Sequence, residues 1–212
     1  MFKVMNRALL QLVATMATIV SAAGVARAQT TQPAAAPSLA PAVALTWSET
    51  VEMVGAATEK GDVATVAATL AREATVRSFE TQELAGARML VDAAAGWKLL
   101  GAHAYEFPPP TLASDIAADV KASDLVPDEQ KRKIIPYDDV EAARANSTAA
   151  DWVAQSLGAE RNHLVGVAVF WNLKTHRPMF VLMKGHRTGD THVVKQAVYG
   201  DPMARRASAA AR

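Results

Sequence analysis

Three observations predict an α+β fold. Helical signals dominate from Thr46 to Leu100, broken by one strand-like segment, Ala74–Phe79. Three further strand-like segments joined by short turns fill Leu164–Tyr199. Runs of helices followed by a run of strands give helices on one face of a mostly antiparallel sheet, ending in a three-stranded meander.

The first 28 residues read as targeting sequence. MFKVMNR is a basic start with Lys3 and Arg7, and ALLQLVATMATIVSAAGV is an apolar run. Ala26-Arg27-Ala28 places small residues where signal peptidase needs them, so cleavage is expected before Gln29. The rival reading is an uncleaved membrane anchor, since the run is close to spanning length. Gln11, Thr15, Thr18 and Ser21 interrupt it, which favours cleavage and a periplasmic or extracellular location.

Residues 29–44, rich in Ala, Pro, Thr and Ser, read as a linker without enough large apolar side chains to pack. One domain is expected over 45–202, with an insert at about 106–155, and a frayed tail over 203–212. The whole chain carries 22 basic and 21 acidic residues; losing Lys3, Arg7 and Arg27 leaves 19 against 21. That balance argues against nucleic acid or, after cleavage, a membrane surface as partner. The absence of cysteine excludes disulfides, thiolate metal sites, cysteine catalysis and lipoprotein acylation.

Thr46-Trp47-Ser48-Glu49 has the form of a capping box. Trp47, Val51, Val54 and Thr58 then recur at helical spacing until Lys60-Gly61. Asp62 caps a shorter helix whose Val63, Val66, Ala67 and Leu70 share a face. After the strand at Ala74–Phe79, Leu84–Leu100 reads as an Ala-rich helix with Leu90, Ala94 and Trp97 in line. DIAADVKASDLV suggests a short helix, and the charged PDEQKRKIIPYDD a solvated loop. Thr148 is expected to restart a helix that Gly158 ends. Asn146-Ser147-Thr148 also fits a glycosylation sequon, but a helix start is the simpler reading.

Leu164–Asn172, Pro178–His186 and Thr191–Tyr199 are the meander strands. The stretch KGHRTGDTHVVKQ gathers His186, Asp190 and His192 near one turn. A two-residue loop, Thr188-Gly189 or Gly189-Asp190, sets the two histidines on opposite faces; the second suits a type II′ turn but opposes Lys184 to Lys195. A shared metal would need a three-residue loop with its glycine misplaced, so a polar hairpin tip is preferred. His103, His163 and His176 stand alone, and Asp115 with Asp119, like Asp138 and Asp139 with Glu141, read as solvated faces. Phosphate loops and GxSxG are absent, and no cofactor is implied.

The stretch MVGAATEKGDVATVAATLAREATVRSF, Met53–Phe79, resembles the opening of the NTF2-like superfamily, which includes SnoaL-like and ketosteroid-isomerase-like domains. The resemblance covers about half the chain. It implies a cone-shaped fold with a pocket between helices and a curved sheet. Ketosteroid-isomerase-like members carry a catalytic acid two residues beyond the "A-T-V" valine; here that position is Ser78, which cannot take a proton from carbon as a carboxylate does.

The expected function is therefore non-catalytic binding of a small apolar molecule or partner. Regular pairing of the meander puts Val181, Met183, Val194 and Gln196 in the pocket wall, with Val169 and Trp171 on the preceding strand. Most of these read equally well as core; Gln196, a polar amide in an apolar row, needs a partner. The alternatives are a structural envelope protein dimerising through Phe180, Leu182 and Tyr199, or a hydrolase or isomerase using His192 or an acid of the insert.

Overall fold

In the computed structural model, which describes residues 44–81 and 84–202, Thr46 opens the first helix through reciprocal hydrogen bonds with Glu49. The predicted signal peptide, the linker up to residue 43 and the tail over 203–212 lie outside the described residues. Helix α1 (Trp47–Lys60) ends at Gly61, and Asp62 caps α2 (Val63–Thr69) by accepting from the Thr65 amide. Strands β1 (Leu70–Ser78) and β2 (Leu84–Ala85) follow, then α3 (Ala87–Ala93) and β3 (Trp97–Glu106).

The single long helix expected over Leu84–Leu100 is therefore corrected. Gly96, at φ 89°, takes the left-handed conformation that terminates helices, and Trp97 starts a strand. Helices α4 (Leu112–Ala122), α5 (Asp128–Ile134) and α6 (Asp139–Leu157) occupy the insert. The charged loop expected at PDEQKRK is α5. Acids in its first turn and bases in its last complement the helix dipole, and Glu129 pairs with Lys133 at 2.8 Å. Nor does a helix restart at Thr148. Asp138 caps α6 by accepting from Glu141 N at 2.8 Å, and the Thr148 hydroxyl donates to Arg144 O in mid-helix. Gly158 does end that helix.

Strands β4 (Leu164–Asn172), β5 (Arg177–Thr188) and β6 (Thr191–Gly200) form the predicted antiparallel meander. The six-stranded sheet runs β2-β1-β6-β5-β4-β3, with β1 and β6 parallel and the other neighbours antiparallel. The architecture is α+β, but helices cover both faces rather than one. On the first face, α1, α2 and α3 bury Val54, Val66 and Leu90 against Phe170, Val181 and Met183. On the second, α4 and α6 bury Leu112, Val153 and Leu157 against Val167, Leu182 and Val198. Trp47 closes one end of the first face: its indole donates to Val165 O at 3.0 Å and leaves no room for a side chain at Gly185.

The turn is Gly189-Asp190, with Thr188 opposite Thr191. Further along, Lys184 pairs with Gln196 and Gly185 with Val194, so Lys195 is an extra, bulged residue. The bulge removes the Lys184–Lys195 opposition that regular pairing would impose. It also changes the faces: Ala197 and Tyr199 join Val181 and Met183, while Gln196 and Val198 turn to the second face. The outer face expected to dimerise is covered, since Leu182 lies under α6, Phe180 meets Trp152 edge-on at 5.2 Å, and Tyr199 belongs to the first face.

Candidate functional site

At the end of the sheet where β1, β4 and β6 finish and β3 and β5 begin, a cleft of about 500 Å³ opens beneath α3. Sheet pairing assembles its floor. Ser78 lies beside Tyr199, Tyr199 opposite Val181, and Arg177 opposite Asn172, which also pairs with Trp97. Trp97, Met179 and Tyr199 supply apolar surface, and Met89 and Ala93 of α3 form the roof. Size and lining suit a small organic molecule.

The polar groups divide between two sides. On the β4–β5 side, Arg177 Nη1 donates to Asp201 Oδ2 at 2.8 Å. Asp201 is buried at 8% side-chain exposure, and Arg177 is half-exposed at 52%. The buried carboxylate thus holds Nη1 of a planar guanidinium that stays half-exposed. Asn172 Oδ1 accepts from the Lys174 and Thr175 amides at 2.8 and 3.0 Å, holding the turn and leaving its amide nitrogen as a donor. On the β1 side, Ser78 Oγ accepts from the Glu80 amide at 3.0 Å, and the Glu80 carboxylate is exposed. Burial raises the Tyr199 phenol above its ordinary pKa, and the Glu80 charge adds to the shift. Trp97 Nε1 is buried with no acceptor among the described residues.

The six residues expected to line one pocket are not brought together. Val181, Met183 and Val194 are buried beneath the first helical layer, whereas Val169 packs in the second and Trp171 against Val120 and Val126. Gln196, on the second face, finds the partners its amide requires: it donates to Leu157 O and accepts from Arg77 Nη2, both at 3.1 Å. None of the six lines the cleft. Ser78, marked by its place after the "A-T-V" valine, does. Arg177 and Asp201 carried no local signal, because 24 residues separate them and only the β5–β6 pairing joins them.

The histidine-rich stretch is a polar hairpin tip, where Arg187 Nε donates to Gly189 O at 3.0 Å. His192 lies 2.9 Å through Nδ1 from Leu45 O and anchors the entry to α1. Among the described residues no cluster of three or more His, Cys, Asp or Glu could hold a metal ion, and no helix is long and apolar enough to cross a membrane.

A second polar constellation joins β3 to α4. His103 Nε2 lies 2.6 Å from Asp119 Oδ2, and Tyr105 donates to Asp115 Oδ2 at 2.6 Å. Residues two apart on a strand and four apart on a helix both advance about 6 Å, so the two pairs match in register. A side chain at Gly101 would overlap the Asp119 carboxylate. The hydrogen bond to Asp119 raises the His103 pKa against the opposing effect of burial, with the Asp119 and Asp115 charges adding to the rise. Burial, then Asp115, pushes the Tyr105 phenol strongly upward. These acids, expected on a solvated face, tie α4 to the sheet. Asn146 fixes the start of the same helix, accepting from the Ala113 and Ser114 amides at 2.8 and 3.1 Å. It is a cap for α4 rather than a helix-start residue.

Comparison with protein-family models, curated proteins and solved structures gave no match to this chain.

Proposed function

We propose that this chain is an exported NTF2-like domain that binds a small, largely apolar molecule without catalysis, in the cleft between α3 and the end of the sheet. The observation that carries the reading is the cleft itself: an apolar floor of Trp97, Met179 and Tyr199 with a polar rim, open to solvent at one end of the first face. The order of elements supports the family part of the proposal. A long helix, the Gly61-Asp62 break, a short helix and the strand containing Val76 form over Met53–Phe79, the stretch that carries the resemblance. Export rests on the sequence of residues 1–28.

Native mass spectrometry of the mature protein, purified from the envelope of its own cell, tests the binding reading. The expected spectrum contains an adduct of defined mass that disappears in Ala93→Trp, a substitution at an exposed roof residue that fills the cleft. An apoprotein in both preparations, with no apolar probe retained by the wild type, would sink it.

A further inference from the structure

The hydrogen-bonding groups at the cleft are asymmetric, with donors on one side and a carboxylate on the other, and the asymmetry describes a ligand. Among the described residues that line the cleft, Arg177 is the one cation, on the β4–β5 side. Asp201 pairs with it through Nη1 alone. Of the guanidinium's donors, Nη1 meets Asp201, and among the described residues no acceptor takes Nε or Nη2. That free edge presents two parallel N–H groups, the arrangement that a carboxylate accepts in bidentate fashion. Asn172 adds an amide donor beside it, its oxygen being committed to the turn.

The opposite side carries a carboxylate outside that ion pair. Glu80 follows the end of β1 with its carboxylate exposed, and an added Cβ at Gly200 would lie 3.7 Å from Glu80 Oε1. A carboxylate accepts hydrogen bonds and donates none. Between Glu80 and Arg177 stands the width of β6, since β1 and β5 flank that strand. Two interstrand spacings put the two sides roughly 10 Å apart. Tyr199 of β6 floors the interval, Met179 borders it on β5, and Trp97 on β3 extends the apolar surface beyond Arg177.

We propose that the cleft takes a flat apolar carboxylic acid, its carboxylate on the free edge of Arg177 beside Asn172 and a distal hydroxyl or amine donating to Glu80. The assignment rests on the binding reading above and adds the chemical class and orientation of the ligand. Asp201 is a positioning residue in this arrangement: it holds the guanidinium so that the outward edge faces the cleft.

Calorimetric titration with 6-hydroxy-2-naphthoate tests the assignment, because its hydroxyl and carboxylate stand at opposite ends of a rigid ring pair. Its methyl ester and 2-naphthoate are the comparison ligands. The acid is expected to bind at least about tenfold more tightly than the ester, since the ester cannot accept two charge-assisted hydrogen bonds. Loss of the 6-hydroxyl is expected to weaken binding a few-fold. In the double variant Arg177→Gln, Asp201→Asn, the preference for acid over ester should vanish while ester binding persists. Ester binding as tight as acid binding to the wild type overturns the carboxylate assignment and leaves the cleft as a binding site. Failure of all three ligands to bind overturns both. The wild-type comparison decides the matter even if the double variant does not fold.

Discussion

His103 Nε2 and Asp119 Oδ2 lie 2.6 Å apart across the junction of β3 and α4, in the space that Gly101 leaves open. The pair is partly buried, at 22% and 19% side-chain exposure, and Asp115 and Tyr105 flank it. Because the folded protein holds the His103 pKa above its ordinary value of 6.5, the folded state binds the proton more tightly than the unfolded chain. The resulting stabilisation is complete below the unfolded pKa and is lost as pH rises through the raised value. Urea unfolding measured across that window should show stability falling with pH. His103→Gln should remove this part of the slope, and an unchanged slope would rule the pair out as its source.

The seat of Trp47 gives a prediction about packing. A methyl group at Gly185 would lie 2.8 Å from the Trp47 ring. Gly185→Ala should therefore destabilise by about 1–3 kcal/mol through overpacking. Trp47→Leu in the same chain should recover part of that loss, making the two changes less than additive. Strict additivity in denaturant midpoints would show that the methyl does not meet the indole.

Asn146→Ala should cost about 1 kcal/mol, because it leaves the Ala113 and Ser114 amides of the first turn of α4 without their acceptor. Hydrogen exchange should quicken selectively at those two amides. Uniform exchange across the domain would mean that Asn146 acts on global stability alone.

The proposed export makes a prediction about covalent structure. Protein recovered from the envelope should begin at Gln29, as read by intact mass and N-terminal sequencing. Ala28→Phe should accumulate the precursor, since a large residue at −1 blocks signal peptidase. An unprocessed chain of 212 residues in the envelope would favour the anchor reading.

What was legible in the sequence was local. The Thr46–Glu49 box, the Gly61-Asp62 break and the meander strands each declare themselves within a few residues, and each formed where expected. Of the second helical layer, the short helix at DIAADVKASDLV and the end of α6 at Gly158 were legible, whereas α5 and the first half of α6 were not. Helix α5 buries no residue at all, and α6 buries only Val153 and Leu157. The presence of the layer was nonetheless written in another segment. Leu164–Asn172 is apolar without alternation, the pattern of a strand covered on both faces, and from Val165 onward every residue of β4 is buried. The start of α6 carried a signal as well: Asp138 with Glu141 three residues on is a capping pattern, read instead as acidic surface. The cleft had no such signature. Ser78, Trp97, Arg177 and Asp201 come from four strands or their ends, and only tertiary pairing makes them neighbours.

The bulge at Lys195 makes part of this chain tolerant to changes of length. Lys195 is surplus to the β5–β6 ladder: without it, Gly185 would still face Val194 and Lys184 would still face Gln196, with every later pair unchanged. A deletion three residues further on, at Val198, has the opposite outcome. Tyr199 would then take the place opposite Leu182, turn toward α6 and leave the cleft without its phenol. Two single-codon losses, separated by two residues, would thus part a silent shortening from the dismantling of the cleft.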